Sequence, residues 1–497
     1  MRLTKTDYLI YRECAKNAWL KIHRPGVYFA KPLSVFDEMI MAVGNEVDYL
    51  VRALFPGGTL VSNRDDAQLT ADLIDVKTPV IYQPVFITEK FKAICDILVW
   101  NQEANAYDLY EAKASTSGED KKAKNDLYLH DLTFQSLVLN EAGCKINRAY
   151  LMRLNKDYVR DGELDLDGLF TREDFTQMVS EIRTEVELEM KMAQIDLSQE
   201  DEPRGPCSCL VKGRNSHCTT FSYSNPGVPA YSVHDISRIG LSKKKLAELV
   251  DSAIFSINDV PEDFVLSEIQ RNQVEAAQSG KVKINREPLL EFFKTIKYPI
   301  SFLDYETFPA AIPRFFGYHP YDQIPFQFSL HVLEEGKKLP QHFEFIYTND
   351  ASPDVDFIKA LIKFLPSNGS IIVWNKSFES NINKKLGERN PQYEKALEEI
   401  NERIIDLEDP FKAQYYVHPG FKGKTSIKYV LPSLAPEFSY KALNIQEGAT
   451  ASNTWNDIVT SKYTVEMAEQ KASDLLSYCE LDTFAMYAIW KHCIELK

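Results

Sequence analysis

The chain has 497 residues and a formal net charge of −15, and hydrophobic and charged residues occur at 44% and 26%, as in ordinary globular proteins. A chain of this length is too long to fold around a single hydrophobic core, so we expect two or three domains. The sequence has no run of about 18 apolar residues, which excludes a membrane-spanning helix, and its start lacks the apolar segment of a signal peptide. We therefore expect a cytoplasmic protein whose eight cysteines are reduced thiols or metal ligands.

The acidic balance opposes binding to nucleic acid, because phosphate attracts cations. A global charge does not exclude a local basic groove, and metal sites themselves require carboxylates. Three basic stretches are candidates for phosphate contact: Lys121–Lys124, Ser242–Lys245 and Lys422–Lys428. For each of them the pattern favours the alternative, a solvated helix face or loop.

Helices are predicted over residues 1 to about 60. Cys14 is placed within the first helix. Gly44–Val51 has the spacing of an amphipathic helix and carries Asp48 among apolar neighbours. The alternative for Asp48 is plain solvent exposure.

A β-hairpin is predicted next, with the strand Phe91–Trp100, the turn Asn101–Asn105 and the return strand Tyr107–Lys113. Asp96 lies in the middle of the first strand, and Glu111 and Lys113 share one face of the second because side chains alternate along a strand. Acids placed like this bind Mg²⁺, and a lysine beside them orients water and stabilises developing negative charge during phosphodiester hydrolysis. The helix Leu129–Ala142 follows and carries Gln135.

This order of elements resembles the RecB-like branch of the PD-(D/E)XK nucleases, which includes CRISPR-adaptation nucleases and helicase-linked repair nucleases. By position, Asp96, Glu111 and Lys113 match the catalytic core of that branch, and Gln135 matches the motif on its next helix. The resemblance implies that the two acids bind metal and that Lys113 and Gln135 are catalytic. The first metal ligand of the branch, usually a helical histidine, corresponds to Asp48 here, which departs from the pattern.

Grouped cysteines indicate a metal centre. Cys207, Cys209 and Cys218 lie in a loop rich in Gly, Pro and Ser, whereas structural cysteines occur singly on apolar faces. Many RecB-like nucleases hold a [4Fe–4S] cluster with one N-terminal and three C-terminal cysteines, so the resemblance implies Cys14 as the fourth ligand. Zinc is the alternative metal, with His217 as a substitute ligand. The other cysteines are predicted to be packing residues: Cys95, Cys144, Cys479 and Cys493.

Residues 226–290 are predicted to form a helical connector. A turn at Gly240 followed by the basic segment Ser242–Lys245 resembles a helix–hairpin–helix grip on a DNA backbone. A simple helical linker is the alternative, and the pattern favours it.

A buried strand that carries two acids is predicted over Ile300–Phe308. Asp304 and Glu306 point to the same face, and like charges on an apolar strand require a positive partner, most often a divalent metal. The alternative is an edge strand whose acids face water. Further elements are predicted in the order strand Phe326–Val332, helix Asp354–Leu365, strand Ile371–Trp374, strand Arg403–Leu407 and helix Asp474–Lys491.

Three acidic motifs in this half resemble the DEDD exonucleases of the RNase H-like fold. They are the pair on the first strand, an Asn-x-x-Phe-acid segment that ends in Glu379, and Tyr478 with Asp482 on one face of the last helix. The resemblance implies that Asp304, Glu306, Glu379 and Asp482 hold two Mg²⁺ or Mn²⁺ ions and that Tyr478 orients the attacking water. Glu379 departs from the family, which usually has Asp there. Asp406 is either a further site acid or a capping residue.

The whole chain resembles an uncharacterised bacterial family that fuses an iron–sulfur RecB-like nuclease to a DEDD exonuclease-like domain. We therefore predict an α/β chain with a RecB-like PD-(D/E)XK domain over residues 1–225, the connector over 226–290 and an RNase H-like DEDD exonuclease domain over 291–497. The predicted function is metal-dependent hydrolysis of DNA, as single strands or ends, in repair, recombination or defence. The alternatives are an RNA-trimming 3′–5′ exonuclease and a decayed scaffold that binds nucleic acid. Every acid of both sites is present, which argues against decay.

Overall fold

The computed structural model describes residues 1–118 and 122–496, and Lys121 of the first basic stretch lies outside the described residues. The chain divides into two compact units, residues 1–227 with 311–320 and residues 228–310 with 321–497. Each unit combines helices with sheets, which confirms the general α/β class. Across the described ranges, no helix is both long enough and apolar enough to cross a membrane.

The first unit contains nine helices and nine strands within its described residues. The helices are α1 Lys5–Glu13, α2 Ala15–His23, α3 Pro25–Tyr28, α4 Val35–Ala53, α5 Ala67–Asp75, α6 Lys122–Glu141, α7 Leu166–Leu169, α8 Thr176–Leu197 and α9 Phe221–Ser224. The strands are β1 Leu3–Thr4, β2 Thr59–Leu60, β3 Val80–Tyr82, β4 Val85–Ile87, β5 Phe91–Ile94, β6 Ile97–Asn101, β7 Ala106–Thr116, β8 Ile146–Leu154 and β9 Phe170–Asp174. Short 3₁₀ turns cover Ser208–Val211 and Arg214–Ser216.

A six-stranded mixed sheet forms the centre of the first unit, in the order β2-β3-β6-β7-β8-β9, beside a three-stranded sheet in the order β1-β5-β4. β6 and β7 pair antiparallel as the predicted hairpin, and β8 pairs parallel to β7 after the α6 crossover. Leu132, Phe134 and Val138 of α6 are fully buried in the main core of this unit. Polar residues on the same helix, Asp131 and Gln135, are therefore carried into the interior next to β7.

Two local predictions for the first unit are wrong. Cys14 lies between α1 and α2 in an extended conformation, because its N–H closes the last turn of α1 while its C=O begins α2. The predicted strand Phe91–Trp100 is broken at Asp96, so that β5 and β6 belong to different sheets. The backbone C=O of Asp96 accepts a hydrogen bond from the N–H of Gln83 instead, and the chain bends there.

The second unit contains ten helices and seven strands among the residues that are described. The helices are α10 Lys243–Asp251, α11 Glu268–Ser279, α12 Arg286–Lys294, α13 Asp354–Phe364, α14 Lys376–Arg389, α15 Glu394–Glu402, α16 Asp409–Lys412, α17 Ile427–Leu434, α18 Gly448–Val459 and α19 Val465–Ile494. The strands are β10 Lys283–Ile284, β11 Ile300–Pro309, β12 Gln323–Leu333, β13 Gln341–Ile346, β14 Ser370–Val373, β15 Ile404–Asp406 and β16 Tyr416–Val417. Short 3₁₀ turns cover Val233–Asp235, Ile239–Leu241, Ile257–Asp259, Pro391–Tyr393, Pro419–Phe421 and Tyr440–Ala442.

A five-stranded sheet in the order β13-β12-β11-β14-β15 organises the second unit. β11 is its central strand, antiparallel to β12 and parallel to β14, so the edge-strand alternative for its two acids is wrong. Its faces alternate as the period-2 argument requires: Phe302 packs against Tyr487 of α19, whereas Tyr305 packs against Phe357 of α13. Asp304 and Glu306 have the same parity as Phe302, so they point toward α19.

The predicted connector lies in the second unit apart from its first two residues. It contributes short helices with a small hydrophobic core of their own, made by Val233, Ile236, Leu246 and Val274 among others. The basic stretch Ser242–Lys245 forms the start of α10.

Candidate functional site

The first acidic cluster lies where β7 meets α6 and the first turn of α1. Glu111 on β7 is 2% exposed. Its carboxylate lies 2.8 Å from the ammonium of Lys5 and 2.6 Å from that of Lys113, and the Gln135 side-chain amide donates to it at 2.8 Å. The structure thus brings together Glu111, Lys113 and Gln135, which belong to two different motifs in the sequence.

Two members of this cluster were missed from the sequence. Asp131, one turn before Gln135 on α6, lies 2.7 Å from the ammonium of Lys113 and 3.1 Å from that of Lys5. Its spacing of four residues from Gln135 was a usable signal, because such residues share a helix face. No local pattern points to Lys5, which reaches the cluster because β1 pairs parallel with β5 and sets the position of α1.

Asp96 and Asp48 also belong to this cluster, and hydrogen bonds connect them to it. The Asp96 carboxylate accepts a hydrogen bond from the backbone N–H of Ala112 at 2.8 Å, which fixes it beside Glu111 across the strand pair. The side-chain amide of Gln83 donates to Asp96 at 3.3 Å and to Asp48 at 3.2 Å. Asp48 also pairs with Arg52, one turn further along α4, so it is connected to Asp96 through Gln83.

Burial and neighbouring charge give the two central acids different properties. Burial raises the pKa of Asp96 to about 7, and the charge of Glu111 adds to the rise. Burial also acts to raise the pKa of Glu111, but Lys113 and Lys5 outweigh it and hold this pKa below its ordinary value. Glu111 is therefore an anion at neutral pH that is already balanced by lysines, so a metal ion at this carboxylate has to compete with them.

The predicted cysteine ligands form a compact group. The sulfurs of Cys14, Cys207, Cys209 and Cys218 all lie within 4.8 Å of one another, an arrangement able to hold a metal ion, and the Cys207 and Cys218 sulfurs are 3.9 Å apart. Tetrahedral coordination by sulfur at about 2.3 Å from a zinc ion places the sulfurs about 3.8 Å apart. Contacts with the other three thiols, Cys207 first, lower the pKa of Cys14, and contacts within the group, Cys14 first, raise the pKa of Cys209 and Cys218. Cys14 is therefore the thiolate that these contacts favour.

His217 is not a member of this sulfur group among the described residues. Its Nε2 lies 3.0 Å from the C=O of Lys212, and its ring stacks on Phe221. The amide of Asn225 donates to the sulfur of Cys207 at 3.3 Å, a contact that supports a charged sulfur. All eight cysteines are free of disulfides, and Cys95, Cys144 and Cys493 lie in hydrophobic cores.

The second acidic cluster lies in the second unit, at a cavity of about 390 Å³. Asp304 and Glu306 of β11 line this cavity together with Tyr478 and Asp482 of α19. Glu379, on the first turn of α14, is 1% exposed, and within the described residues its buried Oε2 has no hydrogen-bond partner. The charge of Glu379 interacts with that of Asp304, so the elements β11, α14 and α19 bring the four predicted acids to one region.

These four acids lack a matching set of cations. None of them forms an ion pair with any residue that the structure describes. Burial raises the pKa of Asp304, Glu306 and Glu379 well above ordinary values, and neighbouring carboxylates add to each rise. Burial raises the pKa of Asp482 to about 6, although Tyr440 and Lys428 act in the opposite direction. Lys428 lines the same cavity and partly offsets the charges of Glu306 and Asp482. One lysine does not match four carboxylates, so the region is electrostatically suited to a further cation.

Two further residues at this cluster were not identified from the sequence. The Tyr440 hydroxyl donates to Asp482 at 2.5 Å. Cys479, which was predicted to be a packing residue, is fully buried and its sulfur also lies 3.6 Å from the Asp304 carboxylate. The ligand atoms of Asp304, Glu306 and Cys479 are close enough together to hold a metal ion.

Asp406 acts as a cap in this structure. Its carboxylate accepts hydrogen bonds from the backbone N–H groups of Asn375 at 3.1 Å and Lys376 at 3.2 Å, where α14 begins. It also accepts from the N–H of Glu408 at 3.0 Å. Of the two alternatives for Asp406, these contacts favour the capping residue, which positions the first turn of α14 and hence Glu379.

Comparisons with known proteins assign no activity. A family described as "Domain of unknown function (DUF2779)" matches residues 301–426, a segment that includes Asp304, Glu306 and Glu379. The chain is also similar to a protein of Mycoplasma pneumoniae (strain ATCC 29342 / M129 / Subtype 1) named "Uncharacterized protein MG366 homolog", with 29% identity over 217 residues. The match covers 40% of this chain and 32% of that protein, so the chain spans about a third of that relative's length. No solved structure matches the chain.

Proposed function

We propose that this chain is a metal-dependent nuclease that hydrolyses phosphodiester bonds in DNA, with a PD-(D/E)XK site in the first unit and a DEDD-type site in an RNase H-like second unit. The observation that carries the proposal is the set of four acids in the second unit that lack matching cations. Several carboxylates in a medium of low polarity persist only when they are protonated or bound to cations. Oxygen-rich sites of this kind prefer Mg²⁺ and Mn²⁺.

The residues of the second unit have distinct roles in this proposal. Two divalent ions held by Asp304, Glu306, Glu379 and Asp482 would supply an activated water and stabilise charge on the leaving oxygen. Tyr478 keeps its proton, because burial and the charge of Asp482 raise its pKa, so its hydroxyl is able to donate a hydrogen bond that orients the water. Tyr440 holds Asp482 in one orientation through its own hydroxyl.

In this proposal the first unit hydrolyses phosphodiester bonds as well, but lysines lie beside its acids. Asp96 and Glu111 would hold a metal ion there, with Asp48 linked to Asp96 through Gln83. Lys113 would stabilise negative charge on the phosphate, and Lys5 is a second cation at the same carboxylate. Gln135 orients Glu111 by the hydrogen bond between their side chains.

The test is digestion of matched labelled DNA and RNA strands with Mn²⁺ or with a chelator. We expect Asp304→Asn and Lys113→Ala each to abolish one of two separable DNA-cleaving activities, by about 100-fold or more. Asp356→Asn on the exposed side of α13 and Lys145→Ala, also exposed, are the charge-matched controls. Full cleavage by both site variants on all substrates refutes the assignments, and cleavage of RNA alone refutes the preference for DNA.

The decayed-scaffold alternative is tested by crystals soaked in Mn²⁺. Anomalous scattering at both acidic clusters is expected for an active nuclease. Crystals that show no metal at either cluster favour the scaffold.

We infer that the four cysteines hold a metal centre that ties the α1–α2 junction to the loop at residues 207–218. The resemblance to RecB-like nucleases favours a [4Fe–4S] cluster. The sulfur separations suit a single zinc ion, and a four-iron cluster is larger, so it requires the sulfurs to move apart. Anaerobic purification followed by visible absorbance and by iron and zinc analysis decides between the two metals, and absence of both refutes the centre.

A further inference from the structure

A cavity of about 430 Å³ in the first unit lies beside the first acidic cluster. Four cationic side chains line it, from Lys5, Lys21, Arg64 and Lys92, and Asp96 is its only acid among the described residues. We call this feature the basic cavity. The chain as a whole has 57 basic and 72 acidic residues, so this local ratio is the reverse of the global balance.

The cations of the basic cavity are accessible to an anion to different degrees. Arg64 is exposed, and it forms no ion pair with a described residue. Lys92 pairs at 2.6 Å with Asp65, whose side chain is 81% exposed, and ion pairs with such exposed partners are weak. Lys21 pairs at 2.5 Å with Asp7, a residue of the capping box at the start of α1. Arg64 and Lys92 are therefore the side chains most available to a ligand.

The start of α1 forms part of the wall of the basic cavity. Thr4 is the N-cap of this helix, and Thr4, Lys5 and Thr6 all line the cavity. The first turn of a helix presents backbone N–H groups and the positive end of the helix dipole, which favour bound anions. The Asp7 carboxylate already lies at this helix start, where it completes the capping box, so the case for an anionic ligand rests on the side-chain charges of the cavity.

The basic cavity adjoins the first acidic cluster through shared residues. Asp96 lines the cavity and also belongs to that cluster. Lys5 lines the cavity while its ammonium contacts Glu111. A phosphate held here is therefore next to the residues that we assign to phosphodiester hydrolysis.

We propose that the basic cavity binds the terminal phosphate of a nucleic-acid strand and so selects phosphorylated ends for the first site. The choice of nucleic acid as ligand rests on the proposed function. The volume lies in the range of cavities that enclose small molecules, large enough for a terminal nucleotide. No aromatic residue lines it within the described part of the chain, so recognition is of phosphate and not of a stacked base. A terminal phosphate monoester carries about 1.5 to 2 negative charges, more than the single charge of an internal phosphodiester, and the available cations Arg64 and Lys92 favour the more highly charged group.

The experiment measures binding of fluorescent single-stranded oligodeoxynucleotides by anisotropy with a chelator present, so that no cleavage occurs. One oligonucleotide has a 5′-phosphate, one a 3′-phosphate, and one has hydroxyl groups at both ends. We expect one phosphorylated end to bind about tenfold more tightly than the hydroxyl ends. A deoxynucleoside monophosphate is expected to compete, since it carries the same phosphate group.

Arg64→Gln and Lys92→Gln are each expected to remove that preference, whereas Lys145→Gln, an exposed change of equal charge, preserves it. Circular dichroism of each variant confirms that it is folded. Equal binding of all three oligonucleotides by the wild type overturns the proposal, and so does a preference that survives both cavity variants. If preference for a phosphorylated end is found but no cleavage occurs with Mn²⁺, the proposed function fails and the binding site stands.

Discussion

The two acidic clusters solve one physical problem in different ways. In the first unit Glu111 is buried, and the ammonium groups of Lys5 and Lys113 lie within 2.8 Å of its carboxylate. In the second unit Asp304, Glu306, Glu379 and Asp482 form no ion pair with described residues. Buried acids need a positive partner, so Glu111 is balanced by lysines of the chain, whereas the four acids of the second cluster have no ion-pair partner among the described residues. Removal of a charge should consequently have opposite effects on stability: loss of the Lys113 ammonium destabilises the first cluster, and loss of the Asp304 carboxylate stabilises the second in the absence of metal.

The largest expected effect is that of Lys113→Ala, which leaves Glu111 and Asp131 with one cation instead of two. Breaking a buried ion pair destabilises a protein by about 3 kcal/mol. We expect peptides from β7 and α6 to exchange amide hydrogens faster by a corresponding amount, as measured by mass spectrometry. Unchanged protection in these peptides contradicts the claim that the lysines balance this cluster.

The second largest expected effect is the stabilisation of the second unit by a bound metal ion. A ligand that binds only the folded state at 100 times its dissociation constant adds about 2.7 kcal/mol. We therefore expect saturating Mn²⁺ to slow hydrogen exchange in β11 and α19, and Asp304→Asn with Glu306→Gln to eliminate this response. Equal protection of the first unit by Mn²⁺, with both lysines in place, contradicts this difference between the two clusters.

A pH titration without metal tests the acids whose pKa is raised by folding. The folded pKa of Asp482 is about 6, above the ordinary value of about 3.9 for aspartate, so the unfolded chain releases this proton first as the pH rises. Stability contributed by the protonated form is therefore lost between pH 4 and pH 7, by about 2 kcal/mol. Asp96, with a pKa of about 7, is expected to give the same sign in the first unit, and Asp96→Asn to remove it there.

Glu111 is expected to change the stability with pH in the opposite direction. Its folded pKa lies below its ordinary value, so the stability from its lysine contacts is present above the unfolded pKa and is lost only as the pH falls toward the folded value.

For the second unit, the raised pKa values predict that protection against hydrogen exchange falls from pH 4 to pH 7. Protection that rises over this range, after correction for the intrinsic exchange rate, contradicts them.

The smallest expected effect is a gain in stability from Asp304→Asn without metal. The substitution removes a carboxylate whose ionised form is disfavoured by burial and by Asp482, and we expect the apo protein to be stabilised by about 1 kcal/mol while cleavage is lost. Urea unfolding followed by exchange in β11 measures the change, with Asp356→Asn as the surface control. A loss of stability would show that Asp304 is compensated in the folded state.

Local sequence patterns predicted some positions in the candidate sites correctly and missed others. The alternation along β11 placed Asp304 and Glu306 on one face, and the helical spacing in α19 placed Tyr478 near Asp482; both positions agree with the structure. The break at Asp96 was missed, because an apolar run does not reveal that two segments belong to different sheets. Cys14 was assigned to a helix interior for a similar reason, since a break of one residue leaves the helical periodicity nearly unchanged.

Residue types and their periodicity predicted the α/β class, the return strand with Glu111 and Lys113, and a buried strand with Asp304 and Glu306 on one face. The resemblance to RecB-like nucleases, and not periodicity, joined Cys14 to the three later cysteines. Only the tertiary structure determined which charges are balanced. Lys5 lies 106 residues from Glu111 in the sequence, and Tyr440 lies 42 residues from Asp482. Such contacts depend on how strands and helices pack, whereas periodicity reports only which face of its own element a side chain occupies.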